Sequence, residues 1–343
     1  MKRFLRVLAG LGGLVAIAVV VLINTTAGQN LLLERGISAV VGQAAPSYDG
    51  LNVFVCGSSS PLPAPGRAQA CLAIITPEHY FIVDAGAGSA VNLGLANMPS
   101  DRLDGVLITH YHSDHIAELP TFNVMTWASG HQGPLKVYGP TGIKPVINGF
   151  NAAFAQDRRY RTLHHGLDFM PAEWGVMEAV ENPMEFAMTF GDMTITSFTV
   201  SHSPVAPAVG YRFDYRGRSV VITGDTIVTD RLAAAAKDAD LMFSDALSAP
   251  IVSAMVDAAK ESGRDRIAHI LVDIQDYHAS VTDVAQLTVD ANIGMTALYH
   301  LVPGPRNVVM ENIYKREFQG NMLLTEDNMW FTLPVGSDAI DVH

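Results

Sequence analysis

The chain has 343 residues, 49% of them hydrophobic and 16% charged, which is enough apolar side chain for one large core or two smaller ones and too much for a disordered protein. Its 34 acidic against 22 basic residues leave a formal net charge of −12. Affinity for a polyanion rests largely on Lys and Arg set against phosphates, so this balance speaks against nucleic acid as a partner unless a local basic patch overrides it.

The first element is an N-terminal apolar run. Lys2, Arg3 and Arg6 precede an uncharged stretch from Val7 to Ile23, and the next charge is Glu34. Residues 1–27 therefore read as a signal peptide or signal anchor, with a run longer than a typical signal core and shorter than a full span. The basic residues would stay inside. The expectation is an exported protein, periplasmic or held to the membrane through this segment if it is uncleaved. Residues 28–50 read as a linker and 51–343 as the folded domain.

From Leu51 short β-rich runs dominate, at 52–56, 70–76, 80–84 and 104–109. Cys56 and Cys71 lie in the first two. Adjacent antiparallel strands could bridge them, and opposite strand faces would leave two free buried thiols. Asp84, before Ala85-Gly-Ala-Gly88, closes a strand and either braces the next loop or forms an ordinary turn. That next loop is the densest signal in the chain. After the apolar Gly105-Val-Leu-Ile-Thr109 come His110, His112, Asp114 and His115 within six residues. Imidazole and carboxylate suit zinc and similar divalent ions. The four groups alternate in direction, so His110 and His112 can serve one ion and Asp114 and His115 its neighbour. This points to a two-metal hydrolase.

Pro120 to Asn151 mixes helical pattern with one strand at Leu135–Tyr138. Arg158-Arg-Tyr-Arg161 is the one dense basic cluster, read either as a solvated helix end or as an anion-binding rim near the metals. Arg161, His164 and His165 are the candidates there for substrate contact. Strand patterns return at 186–190, 193–200, 208–214, 218–223 and 239–243. Residues 248–263 read as a helix, and 281–293 as an amphipathic one. Periodicity alone gives a mixed α/β chain.

The His-x-His-x-Asp-His loop resembles the signature of the metallo-β-lactamase superfamily, and the likeness runs over nearly all the chain beyond the first 45 or so residues. The order of that family's further ligands is met by His202 in Thr-Val-Ser-His-Ser-Pro, by Asp225 in Ile-Thr-Gly-Asp-Thr and by His300 in Ala-Leu-Tyr-His. The opening Val53-Phe-Val-Cys-Gly-Ser-Ser-Ser-Pro61, the run from His202 to Gly210-Tyr-Arg212, and His278-Ala-Ser280 look like the ribonuclease Z and arylsulfatase-like branch. One departure is Asp245, where that branch carries a Glu.

The resemblance implies an α/β (α+β) four-layer αββα sandwich with metals at strand ends between two halves. It implies two Zn2+ ions, with Mn2+ or Fe2+ as alternatives, held by His110, His112, Asp114, His115, His202, Asp225 and His300, Asp225 bridging. Hydrolysis would proceed by attack of a metal-bridging hydroxide oriented by Asp114, with His278, held by Asp245, protonating the leaving group. In ribonuclease Z a flexible RNA-gripping arm lies between the His and Asp that correspond to His202 and Asp225. Only 23 positions separate them here. The expected substrate is accordingly a small ester, a phosphodiester or aryl sulfate. A lactone or β-lactam, or a ribonuclease Z-like endonuclease activity, is the alternative. The expected partners are a small-molecule ester, no nucleic acid, the membrane through the N-terminal segment, and a second copy if the chain dimerises. An iron redox protein is disfavoured by His112, where that branch has Glu, and a metal-free scaffold by the intact ligand set.

Overall fold

A computed structural model describes residues 2–41 and 48–343. The chain divides into two compact units, Met1–Pro46 and Ser47–His343. In the first, helices α1 (Lys2–Asn24) and α2 (Thr26–Val41) occupy the apolar run and most of what reads from sequence as a linker.

The second unit carries fifteen strands and ten further α-helices among the described residues. Its first part runs β1 (Leu51–Gly57), β2 (Cys71–Ile75), β3 (Tyr80–Val83), α3 (Ser89–Leu95), β4 (Gly105–Leu107), α4 (Ser113–Ile116), α5 (Leu119–Ala128), β5 (Leu135–Gly139), α6 (Ile143–Ala153), α7 (Ala155–His165) and β6 (Met177–Glu181). The second part runs β7 (Ala187–Phe190), β8 (Met193–Thr199), β9 (Val209–Tyr215), β10 (Arg218–Ile222), α8 (Asp230–Ala236), β11 (Leu241–Leu247), α9 (Ala249–Glu261), α10 (Asp265–Asp273), α11 (Val281–Asp290), β12 (Met295–Val302), α12 (Val308–Lys315), β13 (Met322–Leu324), β14 (Trp330–Leu333) and β15 (Asp341–Val342).

These strands make two sheets, of order β15-β14-β1-β2-β3-β4-β5-β6 and β13-β12-β11-β10-β9-β8-β7. The sheets face one another. Val53, Val55 and Leu72 of the first share one buried cluster with Phe213, Val220 and Phe243 of the second. On β1 the alternate residues Phe54 and Cys56 point the other way, into a cluster with Leu93 of α3, Phe122 of α5 and Ile147 of α6. The outer face of the second sheet is covered likewise by Leu232 of α8, Val284 and Leu287 of α11 and Tyr314 of α12. Both faces of each sheet are therefore buried, which is why the central strands read as continuous apolar runs instead of alternating ones. Each fully buried Phe, Leu or Ile contributes about 1.5–3 kcal/mol of transfer free energy to this four-layer αββα sandwich.

Two irregularities in the ladders matter. The β1–β2 register shifts between Val55 and Gly57, and Cys56 at that bulge is disulfide-bonded to Cys71, with Cα atoms 5.0 Å apart. The β11–β12 register shifts between Ser244 and Ala246, opposite Leu298 and Leu301. Asp245 and His300 both fall within this second bulge, and a bulge re-aims the side chains beside it.

Candidate metal centre

Parallel strands deliver their side chains at their carboxyl ends, and the chemistry of this protein gathers there. Asp84 follows β3, His110 follows β4, Asp225 follows β10, and Asp245 and His300 lie late in β11 and β12. His202 lies beyond β8. The backbone is strained at two of these points, with Asp84 at φ 61° and His300 at φ 43°, values that non-glycine residues rarely adopt. Gly224, at φ 62°, must be glycine. A Cβ there would meet Thr109 Cβ and the Val209 carbonyl, each at 3.0 Å.

Two ligand sets meet at Asp225. His110, His112, His202 and Asp225 present donor atoms all within 4.8 Å of one another, and so do Asp114, His115 and His300. Asp225 Oδ2 lies 3.8 Å from the Nε2 atoms of both His110 and His202 and 3.4 Å from His115 Nε2, while its Oδ1 lies 3.4 Å from His300 Nε2. Asp114 Oδ2 is 3.1 Å from His300 Nε2 and 3.5 Å from His115 Nε2. All seven side chains singled out in the sequence are thus brought together, six of them buried and His112 exposed.

Neighbouring groups fix which ring nitrogen faces inward. His115 Nδ1 is 2.8 Å from Asp84 Oδ2, and His202 Nδ1 donates to the Tyr277 carbonyl at 3.0 Å, so both rings turn Nε2 to the centre. Thr109 donates its amide and hydroxyl to Asp84, and its Oγ1 is 3.1 Å from His110 Nδ1. Neither Thr109, the last residue of the apolar run, nor Tyr277 is marked as functional by the sequence. Thr109 adjoins the histidine loop and could have been flagged by that position. Tyr277 acts through its carbonyl, which carries no residue-type signal.

The electrostatics of the two sets differ. Burial holds the His110 and His112 rings below the ordinary imidazole range and takes His202 down to about 4, so these three are neutral at pH 7. Burial also pushes His115 and His300 down, but the carboxylates around them, Asp225 foremost, outweigh it and raise both. Against the upward push of burial, His115 and His300 take Asp114 down to about 2, and His300 and His115 hold Asp225 well below the carboxylate range. A divalent ion fits this arrangement. Buried His115 Nε2 and Asp225 Oδ1 have no hydrogen-bond partner, and an orphaned buried acceptor is costly unless something else satisfies it.

His278 lies beside the cluster with its Nδ1 2.7 Å from Asp245 Oδ2. The shorter carboxylate at position 245 does reach the imidazole. Burial raises the Asp245 carboxyl, and His278 offsets part of that. Arg161, His164 and His165 are not drawn into the cluster. Arg161 Nε donates to Asp157 one turn earlier on α7, and the two histidines are exposed at its last turn, packed edge-on to each other.

The β-lactamase superfamily domain matches residues 79–301. Ribonuclease Z of Mycobacterium bovis (strain BCG / Pasteur 1173P2) is 32% identical over 256 residues, covering 74% of this chain and 86% of the relative. Ribonuclease Z of Mycobacterium avium (strain 104) is 29% identical over 283 residues, or 81% and 96%. Among solved structures, the short form of human tRNase Z superposes with a TM-score of 0.56 at 19% identity, covering 82% of this chain and 99% of that one. A metallo-β-lactamase-fold protein of Bacillus subtilis gives a TM-score of 0.57 at 19% identity, covering 82% and 98%. The chain belongs to the β-lactamase superfamily. Its two-sheet fold and its His/Asp sites are those of a metal-dependent hydrolase.

Two sequence expectations are overturned here. Acidity, the apparent export signal and the short His202–Asp225 stretch speak against nucleic acid as a partner, yet the relatives are ribonucleases; overall charge is a poor guide when a metal centre and local surface can engage the phosphates. Export, with a periplasmic or membrane-anchored domain, is also withdrawn. RNA-cleaving relatives remove the reason to place the enzyme outside. Among the described residues no single helix is long and apolar enough to cross a membrane; Val15–Asn24 of α1 and Thr26–Ser38 of α2 meet that length and hydropathy only together, bent by 86°.

Proposed function

We propose that the protein hydrolyses phosphodiester bonds in RNA as a ribonuclease Z-like endonuclease, with residues 51–343 as its catalytic domain. The observation that carries this reading is 32% identity to ribonuclease Z over 74% of the chain, a stretch that includes the histidine loop. In this reading His110, His112, His202 and Asp225 hold one ion, and Asp114, His115, His300 and Asp225 the other. Zinc suits the imidazole-rich donor set best, with Mn2+ or Fe2+ as alternatives. Bound ions of this kind supply Lewis acidity and a water acidified to near neutrality.

The chain's own residues do the rest. Asp225 ties the two sets together, and Asp114 would orient the attacking water. His278 Nδ1 donates to Asp245, and in its doubly protonated form the ring hands the Nε2 proton to the leaving oxygen and returns to neutral. The buried Asp245 orients the ring and stabilises that imidazolium.

A small phosphodiester is the second reading, favoured by one observation. The stretch between His202 and Asp225 is filled by the tight β9–β10 hairpin, with Tyr215 paired to Arg218. A precursor transfer RNA and bis(p-nitrophenyl) phosphate, assayed side by side with and without chelator, test both. Chelator-sensitive cutting of the RNA supports the first reading. Turnover of the small diester alone supports the second, and turnover of neither overturns both.

A further inference from the structure

We infer that α7 is an RNA-docking surface, an inference that rests on the ribonuclease reading above. None of the eleven residues of α7 is buried. A helix normally spends an apolar stripe on the core, and one that does not has an outward role or is held only by its neighbours. Here the outward face is not merely polar. Tyr160 is 55% exposed and Leu163 69%, and Phe169 just beyond the helix is 81% exposed. Arg159, Tyr160 and Leu163 fall at i, i+1 and i+4, so they form one contiguous face. Arg158 and Arg161 lie on the far side of the helix, half-buried, with Arg158 donating to the Asn151 carbonyl.

Charge complementarity selects the occupant. Three arginines within four residues stand out in a chain of net charge −12. Arg161 is tied to Asp157, whereas Arg159 has no ion-pair partner among the described residues. Guanidinium groups interleaved with an exposed tyrosine and phenylalanine match a single-stranded polyanion, whose phosphates take the cations and whose bases stack on the rings. A second copy of the chain fits less well. Two-fold pairing of this face on itself would oppose the arginines of both copies, and a head-to-tail contact would not close.

The surface is within reach of the metal centre. Tyr111, between His110 and His112, donates its hydroxyl to the Pro140 carbonyl. Its ring lies 3.1 Å from where a Cβ on Gly142 would stand, and Gly142 caps α6. Helix α6, of 11 residues, is about 16 Å long, and α7 begins where it ends, at Phe154. Helix α7 thus starts one helix of about 16 Å away from Gly142, which packs against Tyr111 of the histidine loop.

The test is kinetic. Arg159→Ala and Tyr160→Ala are each assayed on a uridine-rich oligoribonucleotide and on bis(p-nitrophenyl) phosphate, with thermal melting to verify the fold. For Tyr160→Ala the ratio of kcat/KM for RNA to that for the small diester falls about tenfold, and Tyr160→Phe restores it. For Arg159→Ala the salt dependence of log kcat/KM for RNA flattens by about 0.7, one single-strand phosphate contact. Wild-type ratios and salt slopes in both variants, with RNA still cleaved, overturn the docking surface alone. A wild-type enzyme that neither binds nor cuts RNA overturns it together with the function on which it rests. A wild-type dimer that Tyr160→Ala dissolves reassigns the face to a second copy.

Discussion

The two ligand sets that share Asp225 are built on different physical terms. His110, His112 and His202 form an all-imidazole set, and His112 opens it to solvent. Asp114, His115 and His300 form a sealed set in which carboxylates flank the imidazoles, with Asp84 behind His115 and Asp225 in front. The open set is neutral apart from Asp225, so it suits an ion that must also meet a substrate. The sealed set is carboxylate-rich and rigid, so it suits an ion that stays. Its rigidity has a visible cost in the left-handed backbone of Asp84 and His300.

The strongest way to break this comparison is to remove what the sets have in common. Asp225→Ala should lower activity by roughly 10⁴-fold and bring bound metal to well below one ion per chain, measured by elemental analysis of the purified protein. Retention of a full ion would show that the sets are independent.

Removing one imidazole from each side sharpens it. His202→Ala and His300→Ala should each cut activity by about 10³-fold while keeping near one ion, and the ion kept by His202→Ala should exchange more slowly with labelled metal in solution. Equal exchange rates would remove the distinction between open and sealed.

His278 tests whether proton transfer is separate from both sets. His278→Ala should keep its metal and lose about 10²-fold on RNA or an alkyl diester, but far less on a p-nitrophenyl ester, whose leaving group needs little protonation. A plot of log rate against leaving-group pKa reads this directly, and an unchanged slope would remove His278 as the acid. The smallest effect belongs to the carboxylate behind the sealed set. Asp84→Asn should weaken metal affinity by 10- to 100-fold, as chelator titration would show, with only a modest change in rate once metal is saturating.

Much of this was legible without coordinates. The strands at 193–200, 208–214 and 218–223 fall within a residue or two of β8, β9 and β10, because their β-branched and aromatic runs end at turn residues. Less visible were β6 and β13 to β15, elements of two to five residues at or next to the sheet edges, too short to show a pattern of their own. The bend between α1 and α2 was not legible either, since it falls after the apolar run among uncharged residues. Overall charge was a poor guide, since a net value averages a local basic cluster such as Arg158–Arg161 with an acidic remainder.

The sequence by itself determined the donor set of the histidine loop. His110, His112, Asp114 and His115 are so close along the chain that almost any strand-loop-helix geometry keeps them together. It also determined a mixed α/β chain with continuous apolar strands, and the resemblance carried by the histidine loop implied the sandwich. The tertiary structure alone decided how His202, Asp225 and His300 converge on that loop from strands up to 190 positions away, since contact between distant residues depends on strand order and register. It decided that the β11–β12 bulge aims Asp245 at His278 and His300 at Asp114, because one extra residue in a ladder reverses which face a side chain occupies. It decided too that Cys56 and Cys71 are bridged, and that α7 turns Arg159 and Tyr160 to solvent, because burial is a property of what the chain places opposite a residue and not of the residue itself.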